Sequence, residues 1–101
     1  MNERPIPLAA TRDEKSVEML RVWIAEHKLH CSLKIGMYRE MNIPEELAWG
    51  TILADAARHI AKALLEHNEK SEDSLLELIR GHFNAELDAP TSPAAGGFIE
   101  S

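Results

Sequence analysis

Three residues with side chains suited to catalysis or ligand binding lie close together in the second half of the chain, namely Asp55, Arg58 and His59. Asp55 and His59 are four residues apart, so a helix would place both on one face. A carboxylate in that position can orient an imidazole that acts as a general base. The same spacing is typical of a surface pair that only stabilises the helix, and no serine or cysteine nucleophile can be placed beside it. The three are candidate ligand-binding residues, with a surface pair as the simpler interpretation.

A second group of possible ligands consists of His27, His30 and Cys31, whose nitrogen and sulfur atoms could bind a metal ion. In a strand, however, adjacent residues point to opposite faces, which separates His30 from Cys31. The sequence has one cysteine only and lacks the HExxH zinc motif. We therefore predict no metal site and no cofactor, and we interpret Cys31 as a small core residue.

The two tryptophans are expected to have different roles. Trp49 begins a predicted apolar stripe and is interpreted as a core residue. Trp23 is predicted on the polar face of a hairpin, where a large aromatic side chain needs something to cover it. Trp23 is the fourth candidate site residue, either in an interface with a ligand or partner or buried under the N-terminal segment.

Residues 20–35 predict a β-hairpin, because apolar and other residues alternate with a period of two on both sides of His27-Lys28. A turn centred on His27-Lys28 places six apolar residues on one face. The expected pairs on that face are Leu20 with Ile35, Val22 with Leu33 and Ile24 with Cys31. The expected pairs on the other face are Arg21 with Lys34, Trp23 with Ser32 and Ala25 with His30.

A long helix is predicted over residues 44–66. Pro44 suits the first turn, and apolar residues then recur at spacings of three and four. The expected buried stripe consists of Trp49, Ile52, Leu53, Ala56, Ile60 and Leu64. Gly50 is unfavourable inside a helix, and we interpret it as a position where another backbone approaches closely.

Two further helical segments are predicted from their caps. Thr11 and Glu14 have the spacing of a capping box, so a short helical turn is expected to begin at Arg12. Ser71 predicts the N-terminal cap of a second long helix, which Pro90 ends.

The length and composition favour one small domain. The 101 residues carry 17 acidic and 11 basic side chains, and the net charge of −6 disfavours nucleic acid as a partner. A single cysteine cannot form an internal disulfide and fits a cytoplasmic protein. No apolar run approaches the ~20 residues of a membrane span. We expect a flexible segment at 1–10, a folded domain at 11–88 and a flexible tail at 89–101.

Four short strings carry a family resemblance: LRVWIA at 20–25, LHCSL at 29–33, WGTILADAARHIAKA at 49–63 and ELDAPTS at 86–92. Together they resemble a family of short bacterial proteins known as domain of unknown function 5076, over about residues 12–92. The resemblance implies that five positions belong to a shared pattern, namely Trp49, Gly50, Asp55, Arg58 and His59. It implies no activity, since the family has none assigned.

The sequence therefore predicts an α+β fold in which a β-hairpin packs its apolar face against two C-terminal helices. Both edges of such a hairpin lack a partner, and open edges pair readily with another chain. We expect a homodimer through a hairpin edge or the polar face around Trp23, and a non-enzymatic protein-interaction module. The alternative to the homodimer is a monomer whose strand edges are covered by the N-terminal segment or the tail. The alternative is a small-ligand-binding or catalytic protein that uses Asp55, Arg58 and His59.

Overall fold

A computed structural model describes residues 1–91 of the chain. Residues 92–101, which include most of the tail predicted at 89–101, lie outside the described residues. The elements, in order, are helix α1 (Leu8–Arg12), strands β1 (Leu20–Ala25) and β2 (Lys28–Leu33), a 3-10 helix (Arg39–Met41), and helices α2 (Glu45–Leu65) and α3 (Glu72–Asp88). A hairpin followed by two long helices is an α+β arrangement, which confirms the predicted fold class. The chain divides into two compact units, of which the first is Met1–Ile35 and the second begins at Gly36.

The short helix α1 lies earlier in the chain than predicted. The expected helical turn was to begin at Arg12, whereas α1 ends there. Pro7 occupies the N-cap position with φ −54°, and its restricted backbone favours a helix start at this point. Thr11 does not cap a following helix, because its hydroxyl donates a hydrogen bond to the Leu8 carbonyl at 2.7 Å.

The β-hairpin forms over the expected strands, but its register differs from the prediction by two residues. The observed turn is Glu26-His27, and both residues have positive φ, 54° and 64°, as a type I′ turn requires. The observed pairs are Leu20 with Leu33, Arg21 with Ser32, Val22 with Cys31, Trp23 with His30, Ile24 with Leu29, and Ala25 with Lys28. A shift of two residues keeps every side chain on its predicted face, so alternation could not distinguish the two registers.

The second unit begins with a connection that is fastened to the first turn of α2. The Glu45 carboxylate accepts hydrogen bonds from the backbone N–H groups of Gly36 at 2.7 Å and Tyr38 at 3.0 Å. Gly36 is buried and has φ +102°, a conformation that glycine adopts without strain. The chain therefore reaches α2 through a tight, hydrogen-bonded turn.

The long helices begin where their caps predict. Pro44 immediately precedes α2 as its N-cap residue, rather than lying in the first turn. Ser71 caps α3 as predicted, because its hydroxyl accepts a hydrogen bond from the Ser74 N–H at 3.1 Å. Helix α3 ends at Asp88, two residues before Pro90.

Few side chains in the described part of the chain are buried. Within residues 1–91 the buried residues are Gly36, Ala48, Ala61 and Leu75. The predicted stripe of α2 is not continuously buried, since Leu53, Ile60 and Leu64 are 40%, 51% and 42% exposed. Small side chains such as Ala48 and Ala61 occupy its most enclosed positions instead. The expected close approach of another backbone at Gly50 is wrong, because a Cβ there would meet nothing within 4 Å.

The apolar face of the hairpin also carries exposed side chains. Val22 is 47% exposed, Ile24 is 81% exposed and Leu29 is 54% exposed. Packing of the two helices on this face stays a prediction.

Candidate functional site

Strand β1 has one edge that is bonded to β2. Ala25 and Lys28 flank the two-residue turn and form a hydrogen-bonded pair of the antiparallel ladder. The bond from the Lys34 N–H to the Met19 carbonyl, 3.0 Å, continues the ladder at the other end of the strands. Odd-numbered residues of β1 therefore direct their backbone N–H and C=O groups towards β2.

The opposite edge of β1 is open as far as residues 1–91 are concerned. The even-numbered residues Leu20, Val22 and Ile24 direct their backbone groups away from β2, because the ladder alternates. Within residues 1–91 these outward groups form no hydrogen bond. An edge of this kind can accept another strand through its main-chain groups.

A groove of about 700 Å³ lies beside the open edge of β1. One part of its wall is the strand, from Leu20 to Trp23. The other part is the N-terminal segment, together with Ala10 and Thr11 of α1 and residues 16–18. The apolar residues that line it are Pro5, Ile6, Pro7, Ala10, Val17, Leu20, Val22 and Trp23. Ile6 and Val17 are 58% and 47% exposed, so much of this apolar lining is accessible.

Arg21 is the main charged group of the groove wall, and two carboxylates fill the edges of its guanidinium. Its Nε and Nη2 atoms donate to Glu18 at 2.9 and 3.2 Å, and its Nη1 atom donates to Glu3 at 3.1 Å. The hydrogen bond and charge of Glu18, followed by the charge of Glu3, raise the pKa of Arg21 above its ordinary value. Glu3 belongs to the N-terminal segment, so this ion pair joins that segment to β1.

The hydroxyl groups in the groove are used inside the protein. Thr11 donates to the Leu8 carbonyl, and Ser16 donates to the Ala10 carbonyl at 2.9 Å. Arg21 is also paired, but Asn2 and Arg4 line the groove as well. The groove therefore offers an incoming molecule apolar side chains, the open backbone of β1 and these two polar side chains.

Trp23, which was predicted as a site residue on the polar face of the hairpin, lies in the wall of the groove. It is half-buried and pairs across the ladder with His30, not with the expected Ser32. His30 is held in turn by a 3.2 Å hydrogen bond between its Nε2 atom and the Ala25 carbonyl.

The other predicted site residues lie on α2, in the second unit of the chain. The Asp55 Oδ2 and His59 Nε2 atoms are 3.3 Å apart, and the two side chains are 63% and 77% exposed. Arg58 is also exposed. The structure therefore brings Asp55 and His59 together as an exposed pair, which is the surface interpretation of their spacing. Their part in ligand binding stays a prediction.

Sequence reasoning missed the pairing of Arg21 with Glu3 and Glu18. Glu18 is three residues from Arg21, but neither residue lies in a helix, so the helical spacing rule does not predict their contact. Glu3 is 18 residues away and contacts Arg21 only because the N-terminal segment returns to β1. Within residues 1–91, no three His, Cys, Asp or Glu side chains are grouped so as to hold a metal ion. In the same residues, no helix is long and apolar enough to cross a membrane.

A β-hairpin with an open edge, followed by two long helices, makes this chain a small α+β domain. The chain belongs to the family described as domain of unknown function (DUF5076), whose model matches residues 3–91. That match includes the N-terminal segment that lines the groove.

The chain is also similar to a solved structure from the photosynthetic bacterium Rhodopseudomonas palustrus CGA009, described as that of a provisionally assigned pyruvate dehydrogenase. The two chains are 29% identical and superpose with a TM-score of 0.70. The similarity covers 94% of this chain and 92% of the other. No curated protein matches the chain.

Proposed function

We propose that the chain is a non-enzymatic protein-interaction module and a homodimer, in which the extended strand that binds along β1 belongs to the second copy. The observation that carries this proposal is the open edge of β1, whose outward backbone groups lack a hydrogen-bond partner within residues 1–91. Addition of a strand would supply those partners, and the side chains of the groove would select the sequence that binds.

The size of the groove supports a strand as the bound group. A five-residue strand occupies roughly 800 Å³, given ~3.4 Å per residue, ~4.8 Å between strands and ~10 Å of sheet thickness. The groove beside β1 measures about 700 Å³. The two volumes are close enough for an extended segment to lie beside the strand.

Exposure of the hairpin's apolar face supports a second copy as the occupant. Ile24 at the end of β1 is 81% exposed and Val22 is 47% exposed. A two-stranded hairpin is marginally stable alone, whereas a sheet of three or more strands with an apolar face can be independently stable. Edge-to-edge pairing of two hairpins joins two β1 strands into such a sheet.

The charge supports a protein partner rather than nucleic acid, and the single cysteine fits a cytoplasmic location. The chain carries a net charge of −6, and phosphate binding favours a basic surface. The alternative function, ligand binding by Asp55, Arg58 and His59, has less support. Asp55 and His59 are mostly exposed, whereas small-molecule sites enclose most of the ligand.

Sedimentation equilibrium at 5–300 µM tests the proposal, with Ile24→Lys as the interface variant. The expected result is a concentration-dependent dimer for the native chain. Ile24→Lys is expected to weaken the dimer by about tenfold or more, equivalent to ~1.4 kcal/mol, because a charged side chain would enter the apolar interface.

Leu87→Lys on α3 is the matched control, since it places the same charge at another apolar residue that is 66% exposed. It is expected to leave the dimer unchanged. A native chain that remains monomeric at 300 µM would contradict the proposal, and equal weakening by both variants would exclude the hairpin as the interface.

A further inference from the structure

We propose that the second copy adds antiparallel to β1 in one register, with the twofold axis at Val22 and Arg21 stacked on the partner's Trp23. This inference rests on the proposed homodimer and specifies how its two strands meet. It follows from the direction of the backbone groups, the side chains on each face and the pairing of Arg21.

The number of backbone hydrogen bonds separates the two best registers. With the axis at Val22, Leu20 faces the partner's Ile24, and all three outward positions of β1 pair, which gives ~6 backbone hydrogen bonds. With the axis at Trp23, only Val22 and Ile24 pair, which gives about four. The missing partner is then Glu26, a turn residue whose φ of 54° takes it out of the strand.

Side chains on the apolar face agree with the axis at Val22. That register opposes Leu20 with the partner's Ile24 and Val22 with the partner's Val22, all on one surface. Opposed β-branched and aliphatic side chains stabilise antiparallel pairs. Both Val22 and Ile24 are exposed in the single chain, so the contact would cover surface that is now accessible.

On the polar face, the same register places Arg21 directly opposite the partner's Trp23. These are non-hydrogen-bonded positions, where opposed side chains lie closest. Glu18 and Glu3 accept hydrogen bonds in the plane of the Arg21 guanidinium, which leaves its flat face to stack on an indole ring. The arrangement occurs twice, because the axis relates the two Arg21–Trp23 contacts.

Disulfide trapping tests the register in the full chain with Cys31→Ser, so that the introduced cysteine is the only one. Val22→Cys is expected to give a disulfide-linked dimer under mild oxidation, since opposed positions in a hydrogen-bonded pair are ~5.5 Å apart at Cα. Trp23→Cys is the matched control and is expected to link poorly. The double variant Leu20→Cys/Ile24→Cys is a second test and is expected to link as well.

A further readout does not depend on cysteine. Trp23→Leu is expected to raise the dimer dissociation constant roughly 5- to 30-fold, because both symmetry-related contacts with Arg21 are lost. Arg21→Gln should raise the dissociation constant by a similar factor. Because both substitutions remove the same contact, the double variant should have the same dissociation constant as either single variant, within experimental error.

The outcomes separate this inference from the proposed function. A dimer that links through Trp23→Cys instead of Val22→Cys would overturn the register and leave the module intact. A dimer that links at none of these positions would overturn both the register and the β1 edge as the interface. A chain that stays monomeric would overturn the homodimer and this inference together.

Discussion

The Arg21 guanidinium lies 3.1 Å from the Glu3 carboxylate, although 18 residues separate the two in sequence. This contact holds the N-terminal segment beside β1 and makes it part of the groove wall. Arg21 is also bonded to Glu18, next to the strand itself. The two carboxylates therefore have different roles: Glu3 joins the segment to the hairpin, and Glu18 orients the guanidinium.

Substitution of Glu3 is expected to release the N-terminal segment. Glu3→Gln removes the charge that contacts Arg21, so the NMR order parameters of the Arg4 and Ile6 amides should fall, and high salt should have the same effect on the native chain. Glu18→Gln is the control, because it leaves the contact between Glu3 and Arg21 in place. An equal fall in both variants would show that Glu3 does not hold the segment.

Loss of the Glu45 carboxylate is expected to destabilise the second unit. Glu45→Ala leaves the N–H groups of Gly36 and Tyr38 without their acceptor, which should lower the free energy of unfolding by roughly 1–3 kcal/mol. Chemical denaturation measures this change. Glu46→Ala is the control, since Glu46 is exposed in the same helical turn, and a loss as large as that of Glu45→Ala would contradict the role of the two hydrogen bonds.

Two glycine-to-alanine substitutions are expected to have opposite effects. Gly36→Ala should destabilise by about 1–2 kcal/mol, because φ is +102° and the new Cβ would lie 3.2 Å from an Arg39 Nη2 atom. Gly81→Ala in α3 should stabilise by roughly 0.5–1 kcal/mol, because a Cβ there meets nothing within 4 Å and alanine favours the helix. Thermal unfolding measures both, and the same sign for both would be inconsistent with the backbone described for Gly36.

The end of α3 is expected to respond to acid. Thr91 donates to Glu86 through its hydroxyl at 2.6 Å and its N–H at 3.1 Å, which lowers the pKa of Glu86 below 4.5. Because the folded pKa is the lower one, these bonds contribute fully above pH 4.5 and are lost as the pH falls through the lowered value.

An NMR titration of Glu86 tests whether the hydrogen bonds from Thr91 lower its pKa. Thr91→Val is expected to move the titration of Glu86 to higher pH, and Thr51→Val in α2 is expected to leave it unchanged. A titration that is the same in Thr91→Val and the native chain would exclude the hydroxyl as the cause.

The fold class could be predicted from sequence because two different periodicities are present. The period of two at residues 20–35 defined the hairpin strands, and the spacing of three and four at 44–66 defined α2. Ser71 correctly marked the start of α3, since its hydroxyl has few other uses at that position.

The register could not be predicted because alternation is blind to a shift of two residues. The Glu26-His27 turn decided it, and neither residue has the side chain that usually marks a turn with positive φ. Burial along α2 was also predicted wrongly. Leu53, Ile60 and Leu64 follow the period of a buried stripe, but the described residues place little against them.

The candidate site was only partly foreseen. Trp23 was selected because an aromatic residue on a polar face needs a cover, and it does line the groove. Arg21 and Glu3 were missed, because prolines near a chain start resemble a loose lead-in. The N-terminal segment was considered as a possible cover for Trp23, without the contact between Glu3 and Arg21. Nothing in local sequence indicates that Glu3 returns to contact β1.

Amide hydrogen exchange of Val22, followed by NMR at increasing protein concentration, tests the central claim most directly. The Val22 N–H points outward from β1 and should exchange quickly in dilute samples, then become protected as a second strand adds to this edge. The Trp23 N–H points towards β2 and should be protected at every concentration. A Val22 amide that exchanges quickly up to 300 µM, while Trp23 stays protected, would contradict strand addition at β1.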